Sequence, residues 1–413
     1  LELPAADAIV NPNQPGDSFP SKNLAGVGVM FYVLMALRAR LRGQGWFDAN
    51  NLPEPNLAQF LDLVALGTVA DVVPLDRNNR ILVAQGLARI RSGRCQPGVR
   101  ALLEVARRAA ARTVSSDLAF AVAPRLNAAG RLSDMSLGIE CLLTDDPGVA
   151  MGHAERLDAL NRERRDIEAR MRDQALESVD TMQLDTDAFP YGLCLYEAAW
   201  HQGLVGIVAG RVKDRLNRPV VAFAPAEEQG YLKGSARSVP GFHIRDALDA
   251  VATRNPGLIA RFGGHAMAAG LTLREQDLDA FKLAFDEHAR RCLEASDLTG
   301  TVYSDGELAS ADVNLAFAQA LRDAGPWGQG FPEPLFDGMF DIAEHRVLQD
   351  RHIKLGLQIP GKRRNVDAIA FNVDPTQWPS RLRSIRCAYR LDVNEFRGAR
   401  DAQLIIEHVE AVE

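Results

Sequence analysis

Apolar positions along the chain change their period several times, and each change predicts an element. A dense apolar run predicts a helix from Ser21, placed to cap it, to about Leu41. Arg38, Arg40 and Arg42 complement its dipole before Gly43 ends it. After a loop around Pro53 and Pro55, Leu57, Phe60, Leu61 and Val64 recur at helical spacing and lead into LGTVADVVPL, where Pro74 breaks regularity. A further helix is predicted near Arg77 to Arg91. From about Met151 to Met182 a long charged helix carries Leu157, Leu160, Ile167, Met171 and Val179 on one stripe. Asp158 with Arg162, Asp166 with Arg170 and Glu168 with Arg172 form acid-first i,i+4 pairs along it. It reads as a mostly solvated rod between domains.

Residues 186 to 300 alternate strand and helix: YGLCLYE, a helix from Gly203, the buried strand PVVAFAP, YLKGSARS, a helix from His243, FGGHAMAAGLTL and a closing helix. Gly203, Gly206 and Gly210 fall on one helical face and suit close packing on a sheet; no GxGxxG accompanies them. From about Gly300 the pattern becomes mainly β after a short helical part. Ile353, Leu355, Leu357 and Ile359 alternate, as do Cys387, Tyr389, Leu391 and Val393, and further strands are predicted near 339 to 346, 366 to 372 and 402 to 409. Five short strands suggest a small barrel such as the OB-fold.

At 413 residues the chain has room for two or three domains, and 47% apolar with 24% charged residues is ordinary for a soluble globular protein. The longest apolar stretch, Val27 to Leu37, falls short of the roughly 20 residues of a membrane span, so no membrane partner is expected. Cys95, Cys141, Cys194, Cys292 and Cys387 form no CxxC pair and read as reduced core cysteines of a cytoplasmic protein. The chain opens on Leu1, with no secretory leader, which reads as processing or a fragment. A net charge of −7 argues against indiscriminate DNA coating. Yet between Arg77 and Arg131 stand eleven arginines against only Glu104 and Asp117, an imbalance that favours an anionic partner over a solvated helix face.

Candidate chemistry sits in four strings. KGSARS supplies Lys233, Ser235 and Arg237, and FGGHAMAAG supplies Gly263, Gly264 and His265: bare backbone beside donors suited to phosphate oxygens. Taken singly, each string also reads as a glycine-rich turn. APRLNAAGR places Arg125 and Arg131 about a small AAG turn, where both could converge on one phosphate or lie solvated. Asp71 stands among apolar neighbours in LGTVADVVPL, as a turn aspartate or as a ligand of a hard divalent cation. No DxD, HxH or HExxH lies upstream of it. His201 and His265 are single histidines of the kind that usually serve structure.

With LGTVADVVPL, RLNAAGR, WHQGLVGIVAGR, KGSARS, GGHAMAAG and GPWGQGFPEPLF in this order, the chain resembles the RecJ family of the DHH/DHHA1 phosphoesterase superfamily along its whole length. The resemblance implies an α/β protein. Residues 1–150 would be the C-terminal part of the DHH catalytic domain, 151–185 a connecting helix, 186–300 the DHHA1 domain and 301–413 a RecJ-type OB-fold β-barrel. It implies single-stranded-DNA-specific 5′ to 3′ exonuclease activity in recombination and repair, by phosphodiester hydrolysis with two Mn²⁺ or Mg²⁺ ions. By motif, Asp71 resembles a metal-holding catalytic aspartate and His265 the GGH histidine facing the cleft. Arg125, Arg131, Ser235 and Arg237, with Gly263 and Gly264, resemble the substrate pocket for the 5′ phosphate. Tyr389, Phe371 or Phe396 would offer stacking surfaces in the barrel, or belong to its core. Single-stranded DNA with a 5′ end is the implied partner, a helicase or single-strand-binding protein a candidate one, and a monomer is expected. The family's earlier aspartate motifs and DHH triplet do not occur in this sequence, so it reads as an N-terminally truncated, inactive fragment. Two other readings remain: a DHH phosphoesterase of short oligonucleotides or nucleotides, and a non-catalytic scaffold for single-stranded DNA.

Overall fold

From Gly26 to Leu143 the regular structure is helical because apolar residues recur there at three and four positions with no sustained alternation. In a computed structural model the described residues are 5–185, 189–349, 351–362, 364–371, 373, 378, 383–396 and 398–411, side chains of 183–185, 396 and 411 excepted. Helices α1 (Gly26–Gly43), α2 (Leu61–Ala70), α3 (Arg77–Arg91) and α4 (Pro97–Val105) come first. Ser21 does not cap α1. Its hydroxyl donates to Asp76 Oδ2 at 3.0 Å, and Asp76 itself caps α3 by accepting the Asn79 amide, so α1 begins only at Gly26. A Cβ on Gly86 of α3 would collide with the Leu61 carbonyl and Ala65 of α2, so glycine permits that close crossing.

A single π turn, Leu118–Val122, runs into α5 (Ala123–Leu132). The AAG turn expected between Arg125 and Arg131 is therefore helix: Ala128 and Ala129 are fully buried, and their small side chains suit close packing. Then come α6 (Ser136–Leu143) and α7 (Pro147–Asp185). α7 starts before the expected Met151 because Asp146 accepts the Gly148 and Val149 amides while Pro147 takes the first helical position.

β1 (Leu193–Tyr196), α8 (Val205–Leu216), β2 (Val220–Pro225), β3 (Tyr231–Arg237), α9 (Ile244–Arg254), β4 (Arg261–Gly264), β5 (Ala268–Arg274) and α10 (Leu278–Cys292) follow. The strands order as β1-β2-β3-β5-β4, with β1 parallel to β2 and the others antiparallel. β2 is apolar at every position because both faces are covered. Val221 and Phe223 join Leu232, Leu271, Leu248, Phe281 and Phe285, while Val220, Ala222 and Ala224 meet Val205, Val208, Met171, Ala175 and Val179. The second half of α7 is thus a wall of this core and not a solvated rod. Of its expected ion pairs, Asp158 with Arg162 forms at 3.3 Å, but Glu168 turns to Arg164 and Arg211 instead of Arg172.

The last part holds α11 (Leu315–Ala324) and strands β6 (Phe336–Leu348), β7 (His352–Gln358), β8 (Asn365–Phe371), β9 (Ser384–Phe396) and β10 (Ala399–Ala411). They close into a barrel in the order β10-β8-β7-β6-β9. Ile353, Leu355 and Leu357 fill it with Tyr389 and Leu391. Tyr389 is 1% exposed, so it is core and offers no stacking face, whereas Phe371 is 50% exposed; the Phe396 side chain lies outside the described residues. Before the barrel, Gly328 and Phe331 exchange backbone hydrogen bonds in a tight loop. The Leu75 amide donates to Gln329 O at 2.6 Å, and Arg80 lies 3.6 Å over the Phe331 ring.

The chain forms two compact units: Leu1–Leu126, Leu137–Glu155 and Val302–Glu413 make one, Asn127–Ser136 and Arg156–Thr301 the other. All five cysteines are free, but Cys292 is exposed and not a core residue. Among the described residues no helix is long and apolar enough to cross a membrane.

Candidate anion-binding site

β3 sets the site by alternation. Leu232, Gly234 and Ala236 point into the core, which leaves Lys233, Ser235 and Arg237 on the opposite face. α8 lies over part of that face, and Gly206 in its first turn lies against the two polar side chains. A Cβ there would sit 2.8 Å from both Ser235 Oγ and Arg237 Nη2. Arg237 is held from two sides, its Nη1 donating to Ser235 Oγ at 3.2 Å and to Ala236 O at 2.8 Å. Arg131 reaches the same turn, where its Nη1 donates to Gly203 O at 3.0 Å. His201 Nδ1 accepts the Gly203 amide at 3.1 Å, so that histidine shapes the turn.

Two guanidinium groups, a hydroxyl and the amino end of a helix thus surround Gly203 and Gly206. At the amino end of α8 the Gly203, Leu204, Ile207 and Val208 amides already donate to His201 and Leu204, which leaves those of Val205 and Gly206 to carry the partial positive charge. Burial, and next the like charge of Arg131, hold the Arg237 guanidinium below the usual arginine range. Among the described residues neither arginine pairs with a carboxylate. A site with this charge and these donors suits an anion with several oxygens.

The GGH string joins it through the sheet. Gly263 on β4 faces Gly270 on β5, which faces Ser235 on β3, one row of neighbours spanning ~9.5 Å. Ala268 pairs with Arg237, and the His265 amide donates to Ala268 O at 2.8 Å. Gly264 has φ 150° and no room for a Cβ, which would lie 2.5 Å from Ala268 O; Gly263 borders open space. His265 is exposed at the tip of this hairpin.

The remaining expected residues belong to the other unit. Arg125 is buried in the other unit, its Nη1 donating to Ala121 O at 2.5 Å, so it is already engaged within its own helix. Asp71 also belongs to that unit. It caps the carboxyl end of α2 and is exposed, so the desolvation argued from its apolar neighbours does not arise. Val72 beside it has φ 57°, a strained setting for a β-branched residue. Among the described residues no three His, Cys, Asp or Glu side chains converge, at Asp71 or elsewhere.

Several members of the arginine run also have partners within the fold. Arg91 donates to Thr113 O, Arg89 to Arg94 O, Arg100 to Gly93 O, and Arg108 and Arg112 pair with Asp117 and Glu395. The expected close helix-to-sheet packing holds at Gly206, where a Cβ would meet Ser235 and Arg237 of β3; what the spacing does not reveal is that Gly203, in the turn before α8, offers its carbonyl to Arg131.

Comparison with known proteins bears on both units. Residues 190–291 match the DHHA1 domain and residues 304–408 the RecJ OB domain. The single-stranded-DNA-specific exonuclease RecJ of Dickeya dadantii is 57% identical over 408 residues, 98% of this chain and 71% of that protein. Its counterpart in Escherichia coli is 54% identical over 98% of this chain and 70% of that protein. The crystal structure of RecJ in complex with Mg²⁺ from Thermus thermophilus superposes with a TM-score of 0.76 at 30% identity, over 96% of this chain and 57% of that one. The Mn²⁺ complex from the same source gives the same TM-score over 54% of its chain.

Proposed function

The chain belongs to the RecJ family, and on that footing we propose that it takes part in 5′ to 3′ exonucleolytic digestion of single-stranded DNA, with the Arg131, Ser235 and Arg237 site gripping the 5′ phosphate. The observation that carries this is the convergence of these three residues on the segment from Gly203 to Gly206, with no carboxylate partner among the described residues. A terminal phosphate monoester carries about −1.5 to −2 charge and three acceptor oxygens, which matches two guanidinium groups, a hydroxyl and helix amides better than an internal diester does. Holding the strand by its end fixes the register of the first phosphodiester. The bare Gly263 and Gly270 floor leaves room beside the grip for the following nucleotide.

Divalent ions in this enzyme class activate water and neutralise charge on the scissile phosphodiester. Asp71 is proposed as one carboxylate of that centre, but the described residues gather no group of three ligating side chains about it, and no bond-breaking step is assigned to them. His265, exposed beside the grip, is proposed to face the substrate. Phe371, half exposed on β8 with its ring set edge-to-face against His352, is the barrel aromatic we assign to single-stranded DNA. Five free cysteines suit the reducing cytoplasm, and the unit of action is taken to be a monomer.

The test is the affinity of this chain for one oligonucleotide bearing a 5′ phosphate or a 5′ hydroxyl, without divalent ions. A clear preference for the phosphate, falling with salt, supports the reading; equal affinity refutes it.

A further inference from the structure

The anion site is one end of a longer basic face. On β3 the side chains of Lys233, Ser235 and Arg237 share the side of the sheet opposite Leu232, Gly234 and Ala236, and cross-strand pairing extends that side laterally. Lys233 stands opposite Thr272 on β5, and Thr272 opposite Arg261 on β4, a row spanning ~9.5 Å. Buried Leu232, Leu271 and Leu273 fix the other side of these strands as core, so Lys233, Thr272 and Arg261 point away from it. β3, β4 and β5 contain no Asp or Glu, although acidic residues outnumber basic ones in the chain by 54 to 47. Glu228, in the loop before β3, approaches Arg261 at 4.0 Å, with both side chains largely exposed. Lys233 is exposed, and among the described residues no acid pairs with it.

Same-side neighbours along a strand are about 7 Å apart, which is the separation of the Lys233 row from the Ser235 row. One step of an extended nucleotide chain covers a similar length, roughly twice the 3.4 Å rise of a stacked duplex strand. In the Ser235 row Gly270 and Gly263 carry no side chain, so a nucleoside can cross the sheet there. The opposite direction is closed. Beyond Arg237, Ser238 and Val239 are each 1% exposed, and the residue across from Arg237 is the small, uncharged Ala268.

We propose that Lys233 takes the first internal phosphate of a single strand whose terminal phosphate lies at Arg131, Ser235 and Arg237, with Thr272 and Arg261 completing this second subsite across the sheet. This rests on the reading of the site as a phosphate grip. A lysine suits the place: its ammonium is a compact point charge with rotatable donors, matched to the single charge of a diester, where the terminal monoester takes the arginine forks. Held at two points, the strand has its direction fixed as well as its register.

The experiment measures the affinity of this chain for a 5′-phosphorylated oligothymidylate without divalent ions, using strands that carry an uncharged methylphosphonate at the first or at the fourth internal linkage. It compares the parent with Lys233→Met and Arg237→Ala, each checked by thermal melting. On the fully charged strand Lys233→Met is expected to lower affinity about fivefold, the upper range for an exposed ion pair. The slope of log affinity against log salt is expected to shrink by about 0.7, one phosphate contact on a single strand. The uncharged first linkage is expected to cost the parent as much and to cost Lys233→Met nothing further, while the uncharged fourth linkage affects both proteins alike. Losses that add in full at the first linkage overturn the proposal, since a merely structural role for Lys233 gives that result. An unchanged affinity in Lys233→Met overturns it as well, as does coupling that appears at the fourth linkage instead. If Arg237→Ala leaves the preference for a 5′ phosphate over a 5′ hydroxyl unchanged, the phosphate-grip reading itself fails; with that preference lost and no coupling at Lys233, only the second subsite falls.

Discussion

Gly206 stands where any side chain would press on Arg237, since a Cβ would lie 2.8 Å from its Nη2 and equally close to Ser235 Oγ. The atoms met are ends of side chains, so the fold can yield while the grip cannot keep its arrangement. Gly206→Ala should keep thermal stability to within about 1 kcal/mol, as for substitutions that meet movable groups. It should lower phosphate preference several-fold in a binding titration. A large drop in melting temperature with preference intact would place the role of Gly206 in packing.

Arg237→Ala removes a half-buried guanidinium that no carboxylate balances among the described residues. Affinity for a 5′-phosphorylated strand should fall by about 1.5–3 kcal/mol, the range of a charged hydrogen bond, while affinity for a 5′-hydroxyl strand changes little. Ser235→Ala should do the same more weakly. Equal losses on both strands, read by fluorescence anisotropy, would make Arg237 a general backbone contact.

Because the described residues gather no group of three metal-ligating side chains about Asp71, the chain supplied with Mn²⁺ or Mg²⁺ should bind single-stranded DNA and release no nucleotide. Release of acid-soluble label that stops on chelation would show that the described residues hold enough of a metal centre after all.

Asp62 should impose a pH dependence on stability. It is fully buried in α2, where its Oδ2 accepts the Gln96 amide at 2.6 Å, and burial raises its carboxyl above the usual range despite that bond. A raised folded pKa means that folding takes up a proton. The contribution is full below the ordinary aspartate range, near pH 4, and is lost as pH rises through the raised value. Against Asp62→Asn, which cannot titrate, the parent should lose relative stability over that window in urea unfolding series. A gap moving in the parent's favour would reverse the assignment.

Strings that alternate are legible in the sequence. Lys233, Ser235 and Arg237 share a face because strand period is two, and Ile353, Leu355 and Leu357 announce the barrel interior for the same reason. What escapes depends on packing between distant segments. Arg125 and Arg131 look equivalent in RLNAAGR, yet one is buried against its own helix and the other reaches Gly203, a distinction no local pattern records. The arginine run looks like an anion surface because composition does not reveal that Arg91, Arg100 and Arg108 serve carbonyls and an aspartate of the fold. α7 looks solvated because its charges are many, while Met171, Ala175 and Val179 complete a core whose other side lies in β1 and β2.

The most direct test is a crystal structure of this chain with a short 5′-phosphorylated single-stranded oligonucleotide. The terminal phosphate is predicted to lie within hydrogen-bonding distance of Arg131, Ser235 and Arg237 at the first turn of α8. A terminal phosphate ordered anywhere else, with those three side chains keeping only their present partners, would contradict the account.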